Sequence, residues 1–316
     1  MHNGIVVFGA VFVDIKGYPT AQYIPAGRNV GRVLQVHGGV SRNVVEDIAN
    51  VELRPTFVSV VDDSGTGTDV IEKLNRHKVN TKYVRRAPDG LGTWLAIFDN
   101  NGDVIASISK RPDLSLIGEI MDTYGDEIIA NADSVVVEID MDAALLKRIF
   151  TLAEKYDKEV YAVVSNMSIA LERRDLLKRT GCVVCNVQEA GILFSEEYEE
   201  LFAEELEQVL CKKVLQAKIP RMIVTLGEYG AVYAEMNGSY GYVPPQKVDV
   251  VDTTGAGDSF FAGVAIGLTY GKSLKESCEI GTRLASSVIA TKENVCPRFL
   301  PKEFGLDIEV RDEDEE

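Results

Sequence analysis

The residues best suited to chemistry lie in one string, Asp252-Thr253-Thr254-Gly255-Ala256-Gly257-Asp258-Ser259-Phe260-Phe261-Ala262-Gly263. Its small residues carry no bulky side chains, so backbone N–H groups can converge on an anion. The apolar run that follows predicts a helix over Asp258 to Tyr270. That makes the loop a helix N-terminus, whose unpaired N–H groups and dipole favour negative charge. A phosphate fits there. A carboxylate beside a phosphate is misplaced unless it has a proton to accept, so Asp258 reads as the general base for a hydroxyl that attacks a phosphoryl group. The plainer alternative, a glycine-rich turn capped by an aspartate, does not account for so dense a string.

Other polar residues sit where strands should end. Asp14 follows the first apolar run, at the carboxyl edge where parallel sheets gather ligands, and a carboxylate there suits the paired hydroxyls of a sugar. Glu138 ends another run and reads equally as a solvated strand-end acid. In Asn186-Val187-Gln188-Glu189, the Asn and Glu read by themselves as a helix cap and a first-turn carboxylate, and Gly227 reads as a tight turn. Gly267 to Ser273 is one residue too short for a P-loop and follows a helix, so it reads as a helix end and turn. No Gly-x-Gly-x-x-Gly follows the first strand, which disfavours a dinucleotide oxidoreductase.

The elements that must position these groups alternate. β-rich apolar runs recur at Ile5 to Phe8, Thr56 to Val61, Ser134 to Val137, Val160 to Val164, Cys182 to Cys185 and Met222 to Leu226. Helical periods follow, as over Ala143 to Lys155 and Glu199 to Gln216, with a last pair at Asp258 to Tyr270 and Leu274 to Thr291. This predicts an α/β fold with a doubly wound, mainly parallel sheet flanked by helices. Two segments break the rhythm. Residues Val11 to Val36 lack a helical period, and Thr93 to Phe98 with Val104 to Ile108 alternate across Asp99-Asn100-Asn101-Gly102-Asp103 as a hairpin. They predict a small β lid, from residues 11–36 and 91–108, on a single domain spanning 1–316. An exposed sheet face needs a ligand or a partner, so the lid, with Trp94 in it, is expected to close on substrate and to offer a homodimer surface.

Lys and Arg number 33 against 49 Asp and Glu, a formal charge of −16, and 46% of the residues are apolar. Such an acidic chain is poorly made for nucleic acid, whose binding rests on Lys and Arg neutralising phosphates. No run approaches the roughly 18 apolar residues of a membrane span, and nothing resembles a secretory signal, so the expectation is a cytoplasmic protein with a small-molecule substrate. Five scattered cysteines argue against a disulfide framework. The Cys182-Val183-Val184-Cys185 pair reads as part of a buried strand, with no second pair for zinc. The end, Arg311 to Glu316, reads as an acidic solvated tail.

The string Asp252 to Gly263 resembles the C-terminal signature of the PfkB/ribokinase family of carbohydrate and nucleoside kinases. His37-Gly38-Gly39-Val40-Ser41-Arg42-Asn43 is similar to the family's N-terminal signature, Asn186 to Glu189 to its Asn-x-x-Glu motif, and Thr225-Leu226-Gly227-Glu228-Tyr229-Gly230 to its nucleotide loop. The resemblance implies a ribokinase-like fold and ATP-dependent phosphorylation of a primary hydroxyl. Asp258 would be the base and the amides of Gly255, Ala256 and Gly257 the anion hole. Asp14, Gly38, Gly39 and Asn43 would hold the sugar, with Glu138 facing it. Asn186 and Glu189 would organise Mg²⁺ through water, and Thr225 and Gly227 would approach ATP. Asp252 and Thr254 would bind K⁺, unless the ammonium of Lys292 stands in for it. The segments Gly38 to Ala49 and Leu95 to Asp103 are further similar to pseudouridine kinases, which implies pseudouridine 5′-phosphorylation. A free-sugar kinase of ribokinase or fructokinase type is the alternative, and a catalytically silent sugar or nucleoside sensor a distant one.

Overall fold

The computed structural model describes residues 2–164 and 166–308. Among these, the strands are β1 (Ile5–Phe8), β2 (Phe12–Pro19), β3 (Gly31–Gly38), β4 (Thr56–Val61), β5 (Asn80–Arg86), β6 (Gly92–Phe98), β7 (Val104–Lys110), β8 (Ser134–Glu138), β9 (Val160–Val163), β10 (Val183–Asn186), β11 (Arg221–Thr225), β12 (Ala231–Glu235) and β13 (Tyr240–Val243). The helices are α1 (Val40–Asn50), α2 (Gly65–Arg76), α3 (Ser115–Ala130), α4 (Ala143–Lys155), α5 (Met167–Glu172), α6 (Arg174–Leu177), α7 (Val187–Phe194), α8 (Ala203–Ala217), α9 (Ala256–Thr269) and α10 (Leu274–Ile289). The acidic run 311–316 lies outside the described residues.

Nine strands form the main sheet in the order β13-β12-β11-β10-β9-β8-β1-β4-β5. From β11 to β5 every pairing is parallel, while β12 and β13 add an antiparallel edge. Successive side chains of a strand face opposite ways. Ile5 and Val7 therefore enter one core layer, with α1, α9 and α10, while Val6 and Phe8 enter the other, with α3, α4 and α8. This double burial is why the strands read as unbroken apolar runs. Cys182 and Cys185 likewise fall in opposite layers as free thiols, so they form no redox pair.

The sequence places β1, β4 and α4 at their observed bounds. Two helix starts differ. α9 begins at Ala256 because Gly255 takes the left-handed N-cap, φ 82°, a conformation open to glycine. α8 begins at Ala203, because the chain first folds Tyr198 into the core, with its hydroxyl donating to Glu196 at 2.9 Å.

A second sheet, β3-β2-β6-β7, comes from the two segments that lack the strand-helix rhythm. Asp99 closes its β6-β7 turn by accepting from the N–H groups of Asn101 and Asp103 at 2.8 and 2.9 Å. The register aligns Val36, Asp14, Trp94 and Ser109 across one face. The opposite face carries Ile15, Leu95 and Ile108 in one row and Val33 and Ile97 in the next.

Candidate active site

The parallel strands all end on one side of the main sheet, and the polar residues marked by the sequence sit at those ends or on the helices that follow. There the structure holds a cavity of about 1070 Å³. Asp14, Gly39, Asn43, Glu138, Thr254, Gly255 and Asp258 all line it.

Asp258 stands in the first turn of α9, half-buried at the cavity wall. Asn43, in the first turn of α1, donates from Nδ2 to Asp258 Oδ2 at 2.6 Å. Burial raises the Asp258 pKa to about 6, against the lowering pull of Asn43 and Arg42, and the nearby negative charge of Asp14 adds to the rise. A carboxyl so placed is ionised at neutral pH yet close to operating pH, which suits a general base. Asn43 Oδ1 is buried and has no hydrogen-bond partner among the described residues.

Asp14 lies on β2 against Gly38, where a Cβ would stand 2.8 Å from both carboxylate oxygens. Gly39 caps α1 at φ 98°, with Ala10 O and Phe12 N each 2.9 Å from where its Cβ would be. Only glycine takes that conformation and that contact together.

Glu138 is buried at the end of β8, accepting from the Ala10 N–H at 3.1 Å and the Ser41 hydroxyl at 2.9 Å. Burial, and then the carboxylate of Asp140, push its pKa up to about 8. That direction favours the protonated form, and the burial excludes the solvated strand-end acid that the sequence left open.

In the loop before α9, the Ala256 N–H reaches the Thr253 carbonyl at 3.3 Å, a long bond, whereas the Gly257 N–H has no protein acceptor among the described residues. Segment 291–297 packs on this loop, with Asn294 O only 2.1 Å from where a Gly255 Cβ would lie. One buried carboxylate anchors both: Asp47 accepts from the Ser259 hydroxyl at 2.8 Å and from the Cys296 N–H at 2.6 Å.

The remaining candidates lie outside the cavity lining. Asn186 ends β10 and caps α7: its Oδ1 accepts from the Glu189 N–H and its own N–H donates to Glu189 Oε2, both at 2.8 Å. The motif is thus a capping box. It leaves a half-buried carboxylate whose pKa is raised by desolvation, against the lowering Asn186 bond. Thr225 pairs in register with Asn186 on the adjacent strand, and Gly227 opens the turn after it. Asp252 Oδ1 accepts from the Thr254 N–H at 2.8 Å. Lys292 is exposed. Among the described residues no group of three or more His, Cys, Asp or Glu side chains could hold a metal by itself.

Three features escape the sequence reading. Arg111, Asp140 and Asn294 line the cavity, alongside Trp94, which was expected there as part of the lid. Asp140 was the nearest to legible, two residues past a recognised strand end. Arg42 goes the other way. Inside the string that resembles pseudouridine kinases, it is turned into the protein, paired with Glu46 at 2.5 Å and bonded to the His37 carbonyl. It is scaffold for the Gly38-Gly39 turn and does not line the cavity.

The model for the "pfkB family carbohydrate kinase" matches residues 2–297. The chain is 35% identical over 295 residues to the guanosine-inosine kinase of Exiguobacterium acetylicum, covering 92% of this chain and 96% of that one. It is 24% identical to the pseudouridine kinase of Escherichia coli K12, over 90% of each. The Arabidopsis thaliana ribokinase complexed with ribose and ATP shares its fold at a TM-score of 0.82 and 22% identity, over 98% of this chain and 100% of that one. The chain belongs to the PfkB family. Its fold is ribokinase-like, and it is a phosphotransferase acting on hydroxyl groups of sugars or nucleosides. No helix among the described residues is long and apolar enough to cross a membrane.

Proposed function

We propose that this kinase transfers the γ-phosphoryl group of ATP to the 5′-hydroxyl of a 6-oxopurine nucleoside, guanosine or inosine. The observation that carries the reading is the 35% identity to a guanosine-inosine kinase along nearly the whole chain. Cavity size agrees: at about 1070 Å³ it stands at the top of the range for drug-sized ligands and is roomy for a free pentose. Pseudouridine is the second reading, supported by the 24% identity to a pseudouridine kinase. It ranks lower because Arg42, part of the string that suggested it, faces away from the cavity. Steady-state kcat/KM across guanosine, inosine, pseudouridine, ribose and fructose, with ATP and Mg²⁺, tests the order. A free sugar ahead of every nucleoside would remove the nucleoside reading.

In this reading Asp258 takes the proton of the 5′-hydroxyl, and the N–H groups of the loop, the unpartnered one of Gly257 with those of Gly255 and Ala256, receive the charge of the transferred group. Asp14, Gly38, Gly39 and Asn43 hold the ribose, the unpaired Asn43 Oδ1 accepting from a hydroxyl, while Glu138 offers its proton. Thr225 and Gly227 approach the nucleotide. Mg²⁺ keeps most of its waters and uses few protein ligands beside nucleotide phosphates, which fits the lone half-desolvated Glu189 with Asn186. It would offset charge on the phosphates. K⁺ would bind Asp252 and Thr254; equal activity in potassium and choline chloride would favour Lys292 in its place.

The small sheet acts as a lid through the face bearing Asp14 and Trp94. Its other face leaves Val33 and Ile108 71% and 70% exposed, and a second copy of the chain covers it. Light scattering should give a dimer, and Ile108→Lys a monomer; a monomeric wild-type protein at micromolar concentration would refute this surface.

A further inference from the structure

Resting on the nucleoside reading above, we propose that the Arg111 and Asp140 pair reads the lactam edge of the base. Arg111 donates to the ring carbonyl oxygen, and Asp140 accepts from the adjacent ring N–H.

Asp140 follows β8, and its side chain is 7% exposed. Its Oδ2 receives Arg111 Nη2 at 2.9 Å. Its Oδ1 is buried and takes no N–H donor from the described residues; the neighbouring carboxyl of Glu138, its pKa raised, hydrogen-bonds to Asp140 and fills one acceptor position of that carboxylate. An ionised carboxylate has about four acceptor positions on its two oxygens, so Asp140 keeps room for a donor on the ligand. Arg111, just past β7, is more than half exposed and has donors to spare, and both residues line the cavity.

The other charged groups on that wall are engaged. Asp113 accepts from the Ser115 N–H, Asp142 caps α4 through Ala144 and Leu145, and Arg148 is held by Asp122 and the Met121 carbonyl. Glu138, beside Asp140, is pushed toward its protonated form by burial and by the neighbouring carboxylate, to which it hydrogen-bonds. In that form it adds no second negative charge.

One donor next to one acceptor selects by pattern. Guanosine, inosine, uridine and pseudouridine each present a ring N–H beside a carbonyl, which matches. Adenosine and cytidine present a bare ring nitrogen beside an amino group. Against this pair they set acceptor against acceptor at Asp140 and donor against donor at Arg111.

The test compares inosine, 1-methylinosine and adenosine on the wild-type enzyme and on Asp140→Asn, with KM for ATP measured alongside. A site built around a hydrogen bond rejects an analogue lacking it by about 10⁴-fold, so wild-type kcat/KM should fall on the order of 10³-fold or more from inosine to either analogue. Asp140→Asn, whose amide can donate to the bare adenosine nitrogen, should narrow the inosine-to-adenosine ratio at least roughly 10-fold with KM for ATP unchanged. Equal use of inosine and 1-methylinosine by the wild type would overturn the pairing while leaving the nucleoside reading intact. So would an Asp140→Asn enzyme that loses activity on both bases in equal proportion. A wild type that takes ribose and no nucleoside would remove both.

Discussion

Asp258→Asn should lower kcat by about 10²- to 10⁴-fold, the usual worth of general-base catalysis, with KM for the nucleoside nearly unchanged. Amide and carboxylate have the same shape, and the Asn43 contact at 2.6 Å survives if the new side chain turns its oxygen toward it. What disappears is the acceptor for the 5′-hydroxyl proton, an interaction that matters in the transition state. The pH profile gives a second reading of the same group. Asp258 works as a base only when ionised, and its pKa stands near 6 because burial outweighs Asn43 and Arg42. Wild-type kcat/KM should therefore be flat above that value and fall as pH drops through it. Asn43→Ala removes a bond that stabilises the ionised form, so the limb should move to higher pH. Near-wild-type turnover in Asp258→Asn, or a limb that stays in place in Asn43→Ala, would take Asp258 out of the role.

Gly255→Ala should be nearly as damaging by a different route. The position combines φ 82° with Asn294 O at 2.1 Å from the added Cβ. A residue held in the left-handed region costs about 1–3 kcal/mol, and here the backbone of segment 291–297 must also move. The loop cannot keep its shape, and the N–H groups it presents shift from the phosphoryl group. Loss of one such donor typically costs about 10²- to 10³-fold in kcat, which is the fall expected here. Gly238→Ala is the control. It shares the conformation, φ 92°, but meets nothing within 4 Å and lies in the β12-β13 turn. It should lower Tm slightly and leave kcat unchanged. If Gly255→Ala only lowers Tm and turns over normally at low temperature, the loop does not position the transferred group.

Much of this protein is legible in one dimension. Strands buried on both faces must be apolar throughout, so β1, β4 and β8 through β11 stand out as runs, and a loop that gathers N–H groups must be built of small residues, so Gly255 to Gly257 is conspicuous. Asn186 and Glu189 show the limit of such patterns. Their spacing is that of a capping box and also of the family motif, and the structure satisfies the first whether or not the second operates. The hairpin β12-β13 does not stand out as a run, because β12, though buried on both faces, is short with alanine at two of its five positions, and β13 at the sheet edge is partly exposed.

By itself, then, the sequence determined the central strands of a mainly parallel sheet, several of its helices and an aspartate beside a glycine-rich helix start, because local periodicity and backbone sterics act over a few residues. Only the tertiary structure decided which distant groups share a dielectric environment. It set Asn43 against Asp258 across 215 positions, turned Arg42 inward, and buried Glu138 beside Asp140, which Arg111 reaches from the other sheet. Those outcomes depend on how much water each carboxylate loses and which donor reaches it, quantities that exist only once the chain has closed around the site.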